Sequence, residues 1–156
     1  MSAQALADSR EIALPDAAAT QALGVRLGAQ LGAGDVVFLI GGLGAGKTTL
    51  ARGVVEAWTG ADEEAPSPTY TLVQTYEGER GELWHCDLYR LKAPEDAFEL
   101  GLEDAFVSAA VLIEWPERLG AYQPKDRLDI TLSPRQEGRT ATLTAHGAWR
   151  TRLDAI

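Results

Sequence analysis

The sequence holds one cysteine, Cys86, and two histidines, His85 and His146. A single thiol excludes an internal disulfide and suits a reducing compartment. The same three residues are too few for a four-ligand zinc site unless carboxylates join them. No apolar run approaches the ~20 residues of a bilayer span, and the first ten residues lack the charged start and apolar stretch of a secretory leader. A cytoplasmic location is therefore expected. Positive charge is also scarce: Lys and Arg number 14 against 23 Asp and Glu, for a net charge of −9. A surface that grips nucleic acid by itself carries a basic patch, and no Lys/Arg cluster is present. Tight direct RNA binding is not expected. Repeats, low-complexity tracts and linkers are absent too. The expectation is one domain over residues 11–150, with 1–10 and 151–156 as flexible ends.

What is present is one stretch, Val36-Val37-Phe38-Leu39-Ile40-Gly41-Gly42-Leu43-Gly44-Ala45-Gly46-Lys47-Thr48-Thr49. Its opening apolar run, rich in β-branched residues, predicts a strand buried on both faces. A helix is predicted from Thr48. Between them Gly41, Gly46, Lys47 and Thr48 meet the spacing G-x-x-x-x-G-K-[ST] of a phosphate-binding loop. Glycines reach backbone angles closed to other residues, so successive N–H groups point into one concavity. The helix that follows adds its free N–H groups and the positive end of its dipole. Lys47 reaches the β- and γ-phosphates in such a loop, and the Thr48 hydroxyl ligates Mg²⁺. The net negative charge opposes this only weakly, because acids beyond about 8 Å are screened. The bland alternative is a glycine-rich turn with an incidental lysine. It requires a chance match of about one in a hundred or less at average glycine usage near 7%. The prediction is a bound nucleoside triphosphate.

Around that stretch the patterns alternate between helix and strand. Glu11 to Leu14 predicts a short edge strand ended by Pro15. Asp16 is a good N-cap for a helix whose Leu23, Leu27 and Leu31 recur at four-residue steps. The helix from Thr48 carries Leu50, Val54 and Trp58 on one side and ends at Gly60; Gly53 inside it costs about 1 kcal/mol against Ala. An acidic, proline-bearing loop covers 61–69. Tyr70 to Tyr76 and Glu82 to Leu88 predict an antiparallel hairpin. Pro94-Glu95-Asp96 starts a helix with Phe98, Leu102 and Phe106 on its apolar side. Ala109 to Ile113 is a buried strand, and the runs around Leu128-Ile130-Leu132 and Ala141-Leu143-Ala145 alternate as half-buried strands. The fold class is α/β, with parallel strands near the loop, antiparallel additions and flanking helices.

A phosphate loop needs carboxylates for Mg²⁺ and a group to orient water, and in such folds these stand at the carboxyl ends of neighbouring strands. Glu114 closes the run Ala109 to Ile113, and Asp87 lies near the end of Leu83-Trp84-His85-Cys86. One or both hold the metal, and the residues do not say which polarises water. Thr69, after Ser67-Pro68, is either a γ-phosphate contact or a strand start. His85 is expected to face the core or to make one hydrogen bond, and Trp58, Trp84 and Trp149 to pack.

Taken together, Gly44-Ala45-Gly46-Lys47-Thr48-Thr49, Ser67-Pro68-Thr69-Tyr70-Thr71-Leu72-Val73, Asp87-Leu88-Tyr89-Arg90-Leu91 and Glu114-Trp115-Pro116 resemble the TsaE (YjeE-type) family of tRNA threonylcarbamoyladenosine biosynthesis. The resemblance runs from about Leu14 to about Leu143 and implies a P-loop NTPase fold. It implies an ATPase using ATP and Mg²⁺ that assists a TsaB–TsaD complex in modifying adenosine 37 of tRNAs reading ANN codons, with hydrolysis resetting the complex between rounds. It implies Lys47, Asp87 and Glu114 as catalytic, and Thr48, Glu114 and Asp87 at the metal. Nucleotide contacts fall on Gly42, Leu43, Gly44, Ala45, Gly46, Lys47, Thr48, Thr49 and Thr20, and more loosely on Arg139. One departure is Gly42, where the family has an acid. The loop amides survive that change; the acid's own contact does not. A small-molecule kinase and a nucleotide-dependent scaffold without significant turnover remain as alternatives.

Overall fold

The computed structural model describes residues 8–42, 44–60 and 72–156. Leu43, Ser67, Pro68 and Thr69 lie outside the described residues. The strands are β1 (Ser9–Leu14), β2 (Val36–Ile40), β3 (Val73–Gly78), β4 (Gly81–Asp87), β5 (Ala110–Glu114), β6 (Arg127–Pro134) and β7 (Arg139–His146). They form one seven-stranded sheet in the order β1-β7-β6-β2-β5-β4-β3. The central strands run parallel, β2 against both β5 and β6, and β4 against β5. The outer ones are antiparallel: β1 on β7, β7 on β6, β3 on β4. The α/β fold with parallel strands beside the glycine loop and antiparallel additions is thus as the sequence predicts.

Side-chain alternation along each strand divides the core in two. On one face Val37, Leu39, Leu83, Leu112 and Ile130 pack under helices α1 (Ala17–Gln30) and α2 (Lys47–Thr59). On the other, Val36, Phe38, Cys86, Val111 and Ile113 pack under α3 (Asp96–Glu99), α4 (Leu102–Ser108) and the 3-10 segment Pro116–Tyr122. Asp16 caps α1 as predicted, its Oδ1 accepting from Ala19 N at 2.8 Å. The stripe Leu23, Leu27, Leu31 is fully inside.

The glycine within α2 has a reason that only the pairing of helices reveals. A Cβ at Gly53 would overlap the carbonyl oxygen of Gln21 and stand 3.0 Å from the Cα of Gly24; a Cβ at Gly24 would overlap the carbonyl of Leu50. The helices therefore meet backbone to backbone. The loss of intrinsic helicity at Gly53 is the condition for that approach.

Several local expectations are corrected. The hairpin turn is Glu79-Arg80, with Gly78 opposite Gly81, so both strands extend closer to the turn than the composition suggests. Arg80 then reaches over the end of α1, donating to the carbonyls of Gly28 (2.8 Å) and Leu31, which are the acceptors a helix terminus leaves open. The run from Pro94 is two short helices, because Gly101 at φ 83° ends the first and begins the second. Phe98 is consequently turned outward. Ser9 and Arg10, assigned above to a flexible end, pair with Thr144 and Leu143. Residues 151–156 do not hang free: Leu153 and Ile156 are buried, and Arg152 makes a two-pronged ion pair with Asp35 at 2.7 and 2.9 Å. Too few apolar residues lie in that segment to give a periodic signal. Among the described residues no helix is long and apolar enough to cross a membrane.

Candidate functional site

The chain leaves β2 at Ile40, turns through glycines with φ of 158° (Gly41), 76° (Gly44) and 103° (Gly46), and enters α2 at Lys47. The angles at Gly44 and Gly46 fall in the left-handed region, which a side chain disfavours. The Arg139 side chain passes close to Gly46, its guanidinium carbon 3.0 Å from where a Cβ would stand. Arg139, at the start of β7, thus lies against the loop. At Gly42 a Cβ would meet nothing within 4 Å, so the acid of the resembled family is sterically welcome there and simply missing.

Lys47 is buried although charged. Its ammonium donates to the Gly41 carbonyl at 2.8 Å and sits 4.1 Å from the centre of the Trp115 ring, a cation–π contact. Trp115 is the one described non-glycine residue at positive φ, 59°. Holding a tryptophan there costs about 1–3 kcal/mol, and Pro116 narrows its choices further. Backbone strain of this kind gathers where a side chain must be aimed. Here the aim is Lys47.

Glu114 ends β5 and Asp87 ends β4 directly beside it, in parallel register. Counting back by twos, Glu114 shares a face with Leu112, and Asp87 with His85 and Leu83; that is the face of α1 and α2. Both carboxylates therefore converge on the start of α2. Glu114 is buried, and its Oε2 lies 2.7 Å from Nε2 of His85, itself fully buried. Asp87 Oδ1 accepts from Tyr89 N at 3.0 Å. A cleft of about 410 Å³ joins these groups: Gly44 to Thr49 form its floor, with Asp87, Glu114, Trp115, Arg139 and Ala17 as walls.

The geometry thus brings together Gly44, Ala45, Gly46, Lys47, Thr48, Thr49, Asp87, Glu114 and Arg139. It does not bring in Thr20, which is fully buried with its hydroxyl on the Asp16 carbonyl at 3.3 Å; Ala17, a turn earlier, lines the cleft instead. Gly42 is exposed outside the cleft lining. Trp115, as the lid on Lys47, escaped the sequence reading; His85 faces the core and makes one hydrogen bond as expected, and what was not foreseen is its partner, Glu114. For His85 a signal existed, because alternation in β4 puts residues 85 and 87 on one face.

Among the described residues no group of three or more His, Cys, Asp or Glu is placed to hold a metal. The donors that do converge are an exposed Thr48 hydroxyl and two neighbouring carboxylates. All are oxygen, and too few to cage an ion. That suits Mg²⁺, which keeps its waters and takes one or two carboxylates plus phosphate oxygens.

An α/β protein with a mixed sheet and a strand–glycine loop–helix unit at its centre is the class this architecture defines. The family model for "Threonylcarbamoyl adenosine biosynthesis protein TsaE" matches residues 14–141, and the chain belongs to the TsaE family. It is 40% identical to the tRNA threonylcarbamoyladenosine biosynthesis protein TsaE of a Nostoc species, over 86% of this chain and 85% of that one. To the protein of the same name from Treponema pallidum it is 39% identical, over 74% and 84%. Among solved structures it is similar to Bacillus subtilis YdiB, with a TM-score of 0.71 and 27% identity over 94% of this chain and 90% of that chain.

Proposed function

We propose that the chain is a Mg²⁺-dependent ATPase with a P-loop NTPase fold that assists a TsaB–TsaD complex in N6-threonylcarbamoylation of adenosine 37 in tRNAs reading ANN codons. The observation that carries the chemistry is one cleft in which a buried lysine at a helix start faces two carboxylates from adjacent parallel strands. The opposed charges suit a polyanion on one side and its counter-cation on the other.

In this reading the amides of Gly44 to Gly46 and the N-terminus of α2 donate hydrogen bonds to the β- and γ-phosphate oxygens. Lys47 neutralises them as charge shifts toward the leaving group. Trp115 above it keeps water from the ammonium, which strengthens that interaction. Thr48 and Glu114 are the residues to hold Mg²⁺, with Asp87 beside them. When bound, Mg²⁺ would supply positive charge to offset that of the phosphates. Asp87, less buried than Glu114, would be the one to accept a hydrogen bond from the attacking water. Arg139 lies over the loop from the opposite wall and Thr49 closes its base. The acidic surface favours a protein over tRNA as the direct contact.

The test is ATP binding by calorimetry and steady-state hydrolysis by the chain alone, with tRNA alone, and with TsaB–TsaD. Expected are Mg²⁺-dependent binding, slow turnover alone and acceleration by the protein complex. Lys47→Ala abolishes most of the affinity without unfolding the chain. Unchanged affinity in Lys47→Ala, or stimulation by tRNA but not by the complex, refutes the reading.

A further inference from the structure

Behind the cleft wall stands a group that the reading above leaves without a task. His85 is fully buried on the apolar face of β4, in line with Leu83 and across from Leu112. An aliphatic residue would fill this place at lower cost, because the Nδ1 of His85 is buried with no hydrogen-bond partner among the described residues. What the imidazole has that a leucine lacks is the contact of its Nε2 with Glu114 Oε2 at 2.7 Å. A carboxylate only accepts, so Nε2 carries the hydrogen of this bond.

That one bond removes most of the freedom of Glu114. A glutamate at a strand end has three rotatable side-chain torsions. The positively charged ammonium of Lys47 in the same cleft is what a released carboxylate would turn toward. With Oε2 engaged by His85, Oε1 is the oxygen left without this partner. Groups that hydrogen-bond a metal-ligating side chain from behind commonly govern its affinity for the ion.

We infer that His85 is a positioning residue: it holds Glu114 away from Lys47 and oriented toward the divalent cation that accompanies the triphosphate. The inference rests on the proposed nucleotide chemistry and deepens it. His85 touches neither nucleotide nor metal.

The test compares wild type, His85→Leu and His85→Gln for binding of a non-hydrolysable ATP analogue by calorimetry, across a Mg²⁺ titration and in EDTA. Leucine keeps the bulk and removes the donor; glutamine returns an N–H near the position of Nε2. His85→Leu should raise the Mg²⁺ concentration at half-saturation about 10- to 100-fold, the range for lost outer partners of a metal ligand. His85→Gln should recover most of that loss, and affinity in EDTA should be the same in all three. In a Glu114→Gln background His85→Leu should add nothing, since the residue it positions is already disabled. A merely structural histidine would lower affinity with and without Mg²⁺ alike, and that result overturns the inference. So does a wild-type Mg²⁺ requirement in His85→Leu. If His85→Leu fails to fold, His85→Asn replaces it; its amide is too short to reach Glu114, and equal behaviour of Asn and Gln overturns the inference. If wild type itself shows no Mg²⁺-dependent nucleotide binding, the nucleotide reading falls and the role of His85 with it.

Discussion

The two faces of the sheet are covered by different means. Over one lie α1 and α2, of 14 and 13 residues, in contact along their backbones. Over the other lie two helical pieces of 4 and 7 residues and a 3-10 segment, which leave Phe98 43% and Tyr122 40% exposed. Both faces bury an apolar core, yet only the first is clamped. It is also the face that receives Lys47, Glu114, His85 and Asp87. Rigidity therefore sits where charges must be held at fixed positions, and the other side of the sheet is closed by looser parts. The difference shows that a core can be dry without being stiff.

That contrast is open to measurement. The largest effect should come from Gly53→Ala, which forces α1 and α2 apart; a loss of about 3 kcal/mol in urea unfolding is expected, the upper range for overpacking. A loss below about 1 kcal/mol would show that the helices part without resistance, and the contrast would break. Next is Arg152→Ala, which frees the C-terminal segment from Asp35 on the clamped side. Its charge-assisted bonds are partly exposed, so about 1–2 kcal/mol is expected by the same assay. Phe98→Ala, on the looser face, should cost less than about 1 kcal/mol, because much of the ring already meets water. The finest probe is Cys86, whose thiol is held above its ordinary pKa by burial under that face. Thiol labelling should outpace the rate set by global unfolding, because the short covering pieces open locally. Labelling that waits for complete unfolding would mean the two faces open together.

Much of this was legible from residues alone, for physical reasons. Strands β2, β5, β6 and β7 announce themselves by apolar runs or strict alternation, and α1 by its leucine spacing and Asp16. The loop and its acids were legible because their residue types are fixed by charge and backbone angle rather than by distant packing. What was hidden depended on pairing across the chain. Gly53 made no sense until Gly24 stood against it. The His85–Glu114 bond spans 29 residues and exists only because β4 and β5 run side by side. The helix from Pro94 was overextended because Phe98, Leu102 and Phe106 keep a helical period through Gly101, which breaks it. Thr20 was carried over by position in the chain, and it stands on the buried face of α1, outside the cleft lining.

The glycine contact between α1 and α2 has a consequence in the gene. Any missense change at codon 24 or 53 introduces a Cβ, since glycine alone lacks one, and the overlap involves main-chain atoms of the facing helix. No substitution in the opposite helix makes room, because the obstructing atoms are common to all twenty residues. These codons therefore have no conservative alternatives and no compensating partners. Mutational scanning of the whole chain should find them as intolerant as Lys47, although neither glycine lines the cleft.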